Sequence, residues 1–307
     1  MNSTARASLK YQILFIIGII AISFSSIFIR WSDAEASVIG MYRLFLTNLI
    51  MLPLVWKSRK EMFSLTGRQW GWLLLSGTLL GLHFLFWIGS LSYTTVASST
   101  VILTLEPILV VSSSYFLFGT RINRTMMLGI GLALVGSIVI GAGDFQVSGS
   151  AVHGDLLSLL GTFAVAAHML AGKQILQSMS AFVYNFWVFF TAASLLAVYN
   201  LVQGYSFTGY SSKEWGVFLL LAVVPTLFGH YLFNWLMQYM SASAVSMAVL
   251  GEPVVASLLA WLLLKESLSG LQLGAGAVIL AGVWLFIANN KEVPKPAAEP
   301  ERRRKSA

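Results

Sequence analysis

Apolar residues in this chain run in long unbroken blocks, and polar residues collect in the short gaps between them. Ten blocks approach or exceed the roughly 20 residues that a helix needs to cross about 30 Å of hydrocarbon. They lie at about 11–30, 36–56, 69–91, 95–118, 125–142, 155–176, 182–202, 214–237, 242–264 and 270–288. The pattern predicts an all-α membrane protein with ten transmembrane helices. Continuous rather than alternating runs exclude a β-barrel. The first block lacks a small-residue cleavage site, is too long for a leader and runs into Arg30 and Trp31, so it is expected to stay as a span.

Two stretches of the pattern repeat. Residues 93–107 read YTTVASSTVILTLEP and residues 239–253 read YMSASAVSMAVLGEP. Both are 15 residues long, end in Glu-Pro and follow a span carrying a histidine, His83 or His230. A carboxylate beside a proline in apolar surroundings, twice in register, marks an internal duplication. Gly129 and Gly131 in span five answer Gly274 and Gly276 in span ten, one residue out of register. Gly18 and Arg30 answer Gly161 and Lys173 at a spacing of 143. Residues 1–142 therefore form one five-span repeat and 155–290 the other, joined by a polar Gly/Ser-containing link at 143–154. Five spans is an odd number, so the two copies must sit upside down relative to each other. That is transporter architecture.

Composition and charge sharpen this picture. The chain is 57% hydrophobic and 10% charged, whereas a soluble domain carries about a quarter charged residues. With the amino terminus placed in the cytoplasm, Arg6, Lys10, Lys57, Arg59, Lys60, Arg68, Arg121, Arg124, Lys173, Lys291 and the five basic residues between 295 and 305 fall inside. Only Arg30, Lys213 and Lys265 fall at outer ends. Fifteen against three is a positive-inside bias that predicts N-in/C-in topology. The net charge of +7 is thus a membrane signal and implies no nucleic-acid partner. Residues 291–307 are Pro-rich and charged and are expected to be a disordered basic cytoplasmic tail. The absence of cysteine removes disulfides, thiolate nucleophiles and Cys-ligated zinc.

Charges within the spans are the candidate chemistry, because each costs at least about 2.5–3.5 kcal/mol on insertion scales. Glu106 and Glu252 fall near the centres of spans four and nine. The proline after each removes an amide donor and strains the preceding turn, which predicts a kink and a freed carbonyl at both. Both carboxylates are expected near a central cavity, the bland alternative being neutral, hydrogen-bonded structural residues. Arg43 in span two needs a counter-charge, with Glu106 the candidate, or a ring of carbonyls, unless it snorkels to the surface. His83 and Trp87 are four apart and share one helical face, as do His230 and Asn234; His168 sits in the middle of span six. These residues read as a polar and aromatic pocket rather than a metal site, since no His-x-x-x-His pair and no acidic cluster accompanies them. Trp31, Trp56, Trp70, Trp72 and Trp215 sit at span ends as belt residues, while Trp87 and Trp235 lie deeper, where they would stack on a substrate or pack. The small-residue pairs Gly270/Gly274 and Gly129/Ala133 predict that spans five and ten are peripheral packing helices or a dimer face.

Arg43, the run HFLFWIGSLSYTTVASSTVILTLEPILV at 83–110 and its counterpart ending in Gly251-Glu252-Pro253 carry a resemblance. The chain resembles the drug/metabolite transporter superfamily, specifically bacterial EamA-domain permeases, over about residues 11 to 288. The ends of spans four and nine, Gly119-Thr120-Arg121 and Lys265-Glu266, are similar too, although Thr120 departs from the acidic residue many members carry there. The resemblance implies ten helices in inverted repeats, a cavity lined by spans one to four and six to nine, and spans five and ten outside. It also implies a cavity rich in aromatics and histidine, which His83, Trp87 and His168 fit.

The expected function is export of small metabolites, amino acids with apolar or aromatic side chains first, across a bacterial inner membrane by alternating access. Trp87 would stack on the substrate and His83, His168, His230, Asn234 and Arg43 would make polar contacts. Glu106 or Glu252 would attract an ammonium group or carry a coupling proton. No cofactor or metal is implied, and the protein works as a monomer or a homodimer. The rivals are an uncoupled facilitator or exchanger, an exporter of toxic organic cations and, more remotely, a membrane-embedded enzyme or a receptor. No paired catalytic constellation at a span end supports an enzyme.

Overall fold

The structure is a computed structural model that describes residues 3–94, 96–119, 122–142, 149–265 and 270–289. Thr120, Arg121, Glu266, residues 143–148 of the expected link and the expected tail lie outside these. The described residues are helical through most of their apolar blocks. Among the described residues nine stretches are long and apolar enough to cross a membrane, and the fifth span is shorter, apolar over Arg124–Ile140.

Spans one, two and three are single helices, α1 (Ser3–Arg30), α2 (Ala36–Met62) and α3 (Gly67–Ser90). Span four is split into α4 (Val96–Leu103) and α5 (Glu106–Phe118), and span five is α6 (Arg124–Ala142). In the second half α7 (Gly149–Ile175) and α8 (Ala181–Gln203) are unbroken, with α7 starting inside the expected 143–154 link. Span eight is composite: α9 (Ser212–Leu221), a π-helix (Ala222–Tyr231) and α10 (Leu232–Leu236). Span nine is α11 (Ala242–Ser246) and α12 (Ala248–Leu264), and span ten is α13 (Gly270–Asn289). Short polar side chains start the helices: the hydroxyls of Thr66, Ser180, Ser211 and Ser241 each accept an amide of the first turn, satisfying donors that have no intrahelical partner.

The helix contacts exchange with themselves when the halves are swapped. α1 packs along the π-helix of span eight as α7 packs along α3, and α1 packs on α12 as α7 packs on α4 and α5. The pairs α2–α8 and α6–α13 map onto themselves. Because successive spans alternate in direction, helices five apart run antiparallel, and the relating two-fold lies in the membrane plane. One core joins spans one, two, three, six, seven and eight and takes in Leu103 and Val110 of span four and Val245 and Ala248 of span nine. A separate one joins spans five and ten to the split helices of spans four and nine.

The two Glu-Pro motifs do not bend their helices alike. Span four breaks at Thr104–Leu105, so Glu106 opens α5 with Pro107 in its first turn, where a missing N–H is harmless. Span nine breaks earlier, at Met247, and α12 runs on through Pro253. The predicted kink at Glu252-Pro253 is therefore displaced by more than a turn. Pro253 itself has no N–H to give the Val249 carbonyl.

Spans five and ten meet backbone to backbone. A Cβ on Gly129 would lie 2.6 Å from the Gly282 carbonyl, and one on Gly282 would lie 2.5 Å from the Gly129 carbonyl and 2.7 Å from the Ala133 amide. Gly129 and Ala133 thus serve the contact predicted of them, but Gly270 and Gly274 face away from the protein, with nothing within 4 Å. Gly282→Ala is expected to destabilise the protein by about 1–3 kcal/mol, since backbone cannot yield as a side chain does. Gly274→Ala should be silent. Melting of both variants in detergent checks this, and equal melting points would refute it.

Candidate functional site

The α4–α5 break, α1, α3, α7 and spans eight and nine enclose a cavity near the centre of the bundle. His83, Trp87, Glu106, His168, His230, Asn234 and Glu252 all line it, although they come from five different spans. Its volume is about 60 Å³, room for a few waters at roughly 10–15 Å³ each. Ile22, Leu103, Val165, Met169 and Phe233 supply apolar wall.

The carboxylates are buried, Glu106 at 3% and Glu252 at 6% exposure. Glu106 owes its place to the break before it. As the first residue of α5 it sits at a helix N-terminus, where unpaired amides favour negative charge by about 0.3–1 kcal/mol. Its Oε1 has no hydrogen-bond partner. The two carboxylates are close enough to sense each other electrostatically.

Each of two histidines is anchored through one nitrogen. His83 Nδ1 lies 3.0 Å from the Gly161 carbonyl, and His168 Nδ1 lies 3.0 Å from the Ser76 carbonyl. A carbonyl only accepts, so Nδ1 of His83 carries a proton, and in its neutral ring Nε2 keeps a lone pair; His168 Nδ1 also lies 2.9 Å from the Ser76 hydroxyl, which can donate or accept. The His83 bond depends on close packing of α3 on α7. A Cβ on Gly161 would stand 3.2 Å from the Trp87 amide nitrogen. Ser76 also shares a hydrogen bond of 2.6 Å with the Tyr184 hydroxyl, which ties α8 into the same group. The rings of His83 and Trp87 lie parallel at 5.8 Å, and the Trp87 indole N–H is buried without an acceptor. His230 meets Phe84 edge-on at 5.2 Å. Asn234 donates to Asn185 Oδ1 at 2.8 Å. No group of three potential ligands among the described residues is arranged to hold a metal ion. Trp235 is not at the cavity: it packs on Tyr11 and Tyr239 at an end of the bundle.

Arg43 stands behind the cavity, fully buried, and does not snorkel. It makes no ion pair with Glu106. Its Nε donates to Thr226 Oγ1 at 3.0 Å, its Nη1 to Ser25 Oγ at 3.1 Å, and its guanidinium lies 4.5 Å above the Phe84 ring. The carboxylate that senses its charge is Glu252. The reason lies in Pro225. Lacking an N–H, it cannot bond the Leu221 carbonyl, and span eight winds into a π-helix around it. Thr226 then donates its hydroxyl to Leu221 O at 2.8 Å and offers a lone pair to Arg43. Sequence reasoning missed Ser25, Ser76, Tyr184, Asn185 and Thr226. A proline in mid-span eight and an asparagine in span seven were the available signals.

Comparison with known proteins agrees with this architecture. The model of the EamA-like transporter family matches residues 9–142 and 152–288. A protein of Archaeoglobus fulgidus described as an uncharacterized transporter is 26% identical over 266 residues, 85% of this chain and 90% of that one. A probable amino-acid metabolite efflux pump of Salmonella typhimurium is 25% identical over 199 residues, 62% of this chain and 66% of that one. A crystal structure shares the fold with a TM-score of 0.78 at 17% identity, covering 92% of this chain and 98% of the other.

Proposed function

The chain belongs to the EamA-like transporter family, and from that premise we propose that it exports amino acids with apolar or aromatic side chains across an inner membrane. It is a multi-pass membrane transporter; the substrate, the coupling and the cycle are our reading. The observation that carries it is a pair of unsatisfied polar atoms at one cavity, Glu106 Oε1 and the Trp87 indole N–H. A lone carboxylate oxygen calls for a cationic donor and an indole N–H calls for an acceptor. The ammonium and carboxylate of an amino acid supply both, while the apolar wall takes the side chain.

About 60 Å³ is well below the roughly 300 Å³ at which ligand pockets begin, so binding requires the cavity to widen. The two-fold arrangement supports rocking of one repeat against the other as the way it opens to either side. The outward direction follows the relative described as an efflux pump; the basic residues favour termini in the cytoplasm. Glu106 and Glu252 are the groups that would carry a coupling proton between states. Two carboxylates beside aromatic rings also suit an organic cation, the second reading.

Flux in proteoliposomes tests this. Labelled amino acids, nucleosides and a quaternary ammonium are loaded, with and without an imposed pH gradient. Amino-acid flux that rises with the gradient is expected. Flux indifferent to the gradient makes the protein a facilitator or exchanger, and flux of the quaternary ammonium alone replaces the substrate assignment.

A further inference from the structure

The two repeats differ in how they fill the two ends of the bundle. With Tyr93 aligned on Tyr239, the residue four positions earlier is Gly89 in one repeat and Trp235 in the other. Trp235 closes its end: its ring lies 4.6 Å from Tyr239 and 6.0 Å from Tyr11, and Tyr11 stacks on Tyr239 at 4.6 Å. At the opposite end Tyr93 meets His153 edge-on at 4.9 Å, within one residue of the position that answers Tyr11. Gly89 brings no ring, and a Cβ there would meet nothing within 4 Å. The space left open is a cavity of about 320 Å³, within the range of about 300–1,000 Å³ usual for small-molecule sites.

This cavity shares no residue with the central one. It lies on the other side of α3, against Leu85, Phe86 and Gly89 rather than His83 and Trp87. Its charge comes from Glu35, which precedes α2 but makes no side-chain bond to the helix start. Lys213, in the first turn of α9, is paired with Asp33 at 3.0 Å and not with Glu35. Around the carboxylate stand the rings of Tyr93, Tyr199 and Tyr205, with Tyr205 in electrostatic reach of Glu35 and both other tyrosines. A carboxylate among electron-rich ring faces is the chemistry that holds an ammonium group, by charge and by cation–π attraction. We propose that this end cavity is a second ligand site, for a small organic cation, separate from the central cavity.

The test is calorimetric titration of tetraethylammonium into the full-length protein in lipid nanodiscs. Wild type is expected to bind, and Glu35→Gln to bind at least about ten-fold more weakly, the scale of one lost charge contact. Gly89→Trp, which gives this end the ring the other end has, is expected to abolish binding. Glu106→Gln is expected to leave it unchanged. Glu35 is exposed and its replacement alters no packing, so it decides the matter even if Gly89→Trp does not fold. Equal affinity of wild type and Glu35→Gln, loss of binding in Glu106→Gln, or no binding to wild type would each overturn the proposal.

Discussion

Glu106→Gln is expected to raise the substrate concentration needed for half-maximal flux by about ten- to a hundred-fold. The basis is the loss of a charge-assisted hydrogen bond worth about 1.5–3 kcal/mol, at 1.4 kcal/mol per ten-fold. Glutamine keeps the shape of the side chain and the start of α5, so the change isolates the charge. Stability should hold or rise, because Oε1 of Glu106 is buried without a partner and a neutral amide is cheaper to desolvate. Any stimulation by a pH gradient should fall as well if this carboxylate carries the proton. The measurement is the concentration and gradient dependence of amino-acid flux in proteoliposomes for Glu106→Gln and Glu252→Gln. Wild-type behaviour of both variants would return both carboxylates to a structural role.

Arg43→Met is expected to separate stability from transport. The guanidinium is fully buried, bonded to two neutral hydroxyls, with its Nη2 unpaired. Two bonds to a charged group are worth about 1.5–3 kcal/mol each, while burying an ion costs several kcal/mol. These magnitudes nearly cancel, so a methionine of similar volume should melt close to wild type. Flux should nevertheless drop more than about ten-fold, because the link from α2 to Ser25 and Thr226 and the positive charge beside Glu252 both disappear. Arg43→Lys should be the less stable of the two. A compact, strongly hydrated ammonium cannot reach Thr226 and Ser25 together. Parallel melting and flux measurements decide the matter: a Met variant that melts far below wild type while its remaining folded fraction transports normally would make Arg43 a brace and nothing more.

The residues that converge on the central cavity were legible for one reason. Lipid makes every charge and every imidazole conspicuous, so Glu106, Glu252, His83, His168, His230 and Asn234 stand out against an apolar background. The duplication then set Glu106 against Glu252 and His83 against His230, while His168 has no histidine counterpart in span one. The supporting residues were not legible. Serine, threonine and tyrosine are tolerated along any membrane helix, and nothing local distinguishes Ser25, Ser76 and Tyr184 from hydroxyls that bond their own helix, as Ser137 and Ser257 do. The partner assigned to Arg43 failed because sequence offered only proximity within a repeat. Its actual partners come from α1 and from the other repeat.

What the sequence determined by itself is therefore the membrane class, the ten spans and the duplication, all of which follow from apolar run length and from repeated residue types. Only the tertiary structure decided which face of each helix turns inward, that Glu106 starts a helix while Pro253 sits within one, that span eight unwinds around Pro225, and that Gly89 opens an end which Trp235 closes in the other repeat. Such features depend on how closely two backbones approach and on which carbonyls are left needing a donor. Those are properties of helix pairs distant in sequence, and no periodicity along one chain encodes them.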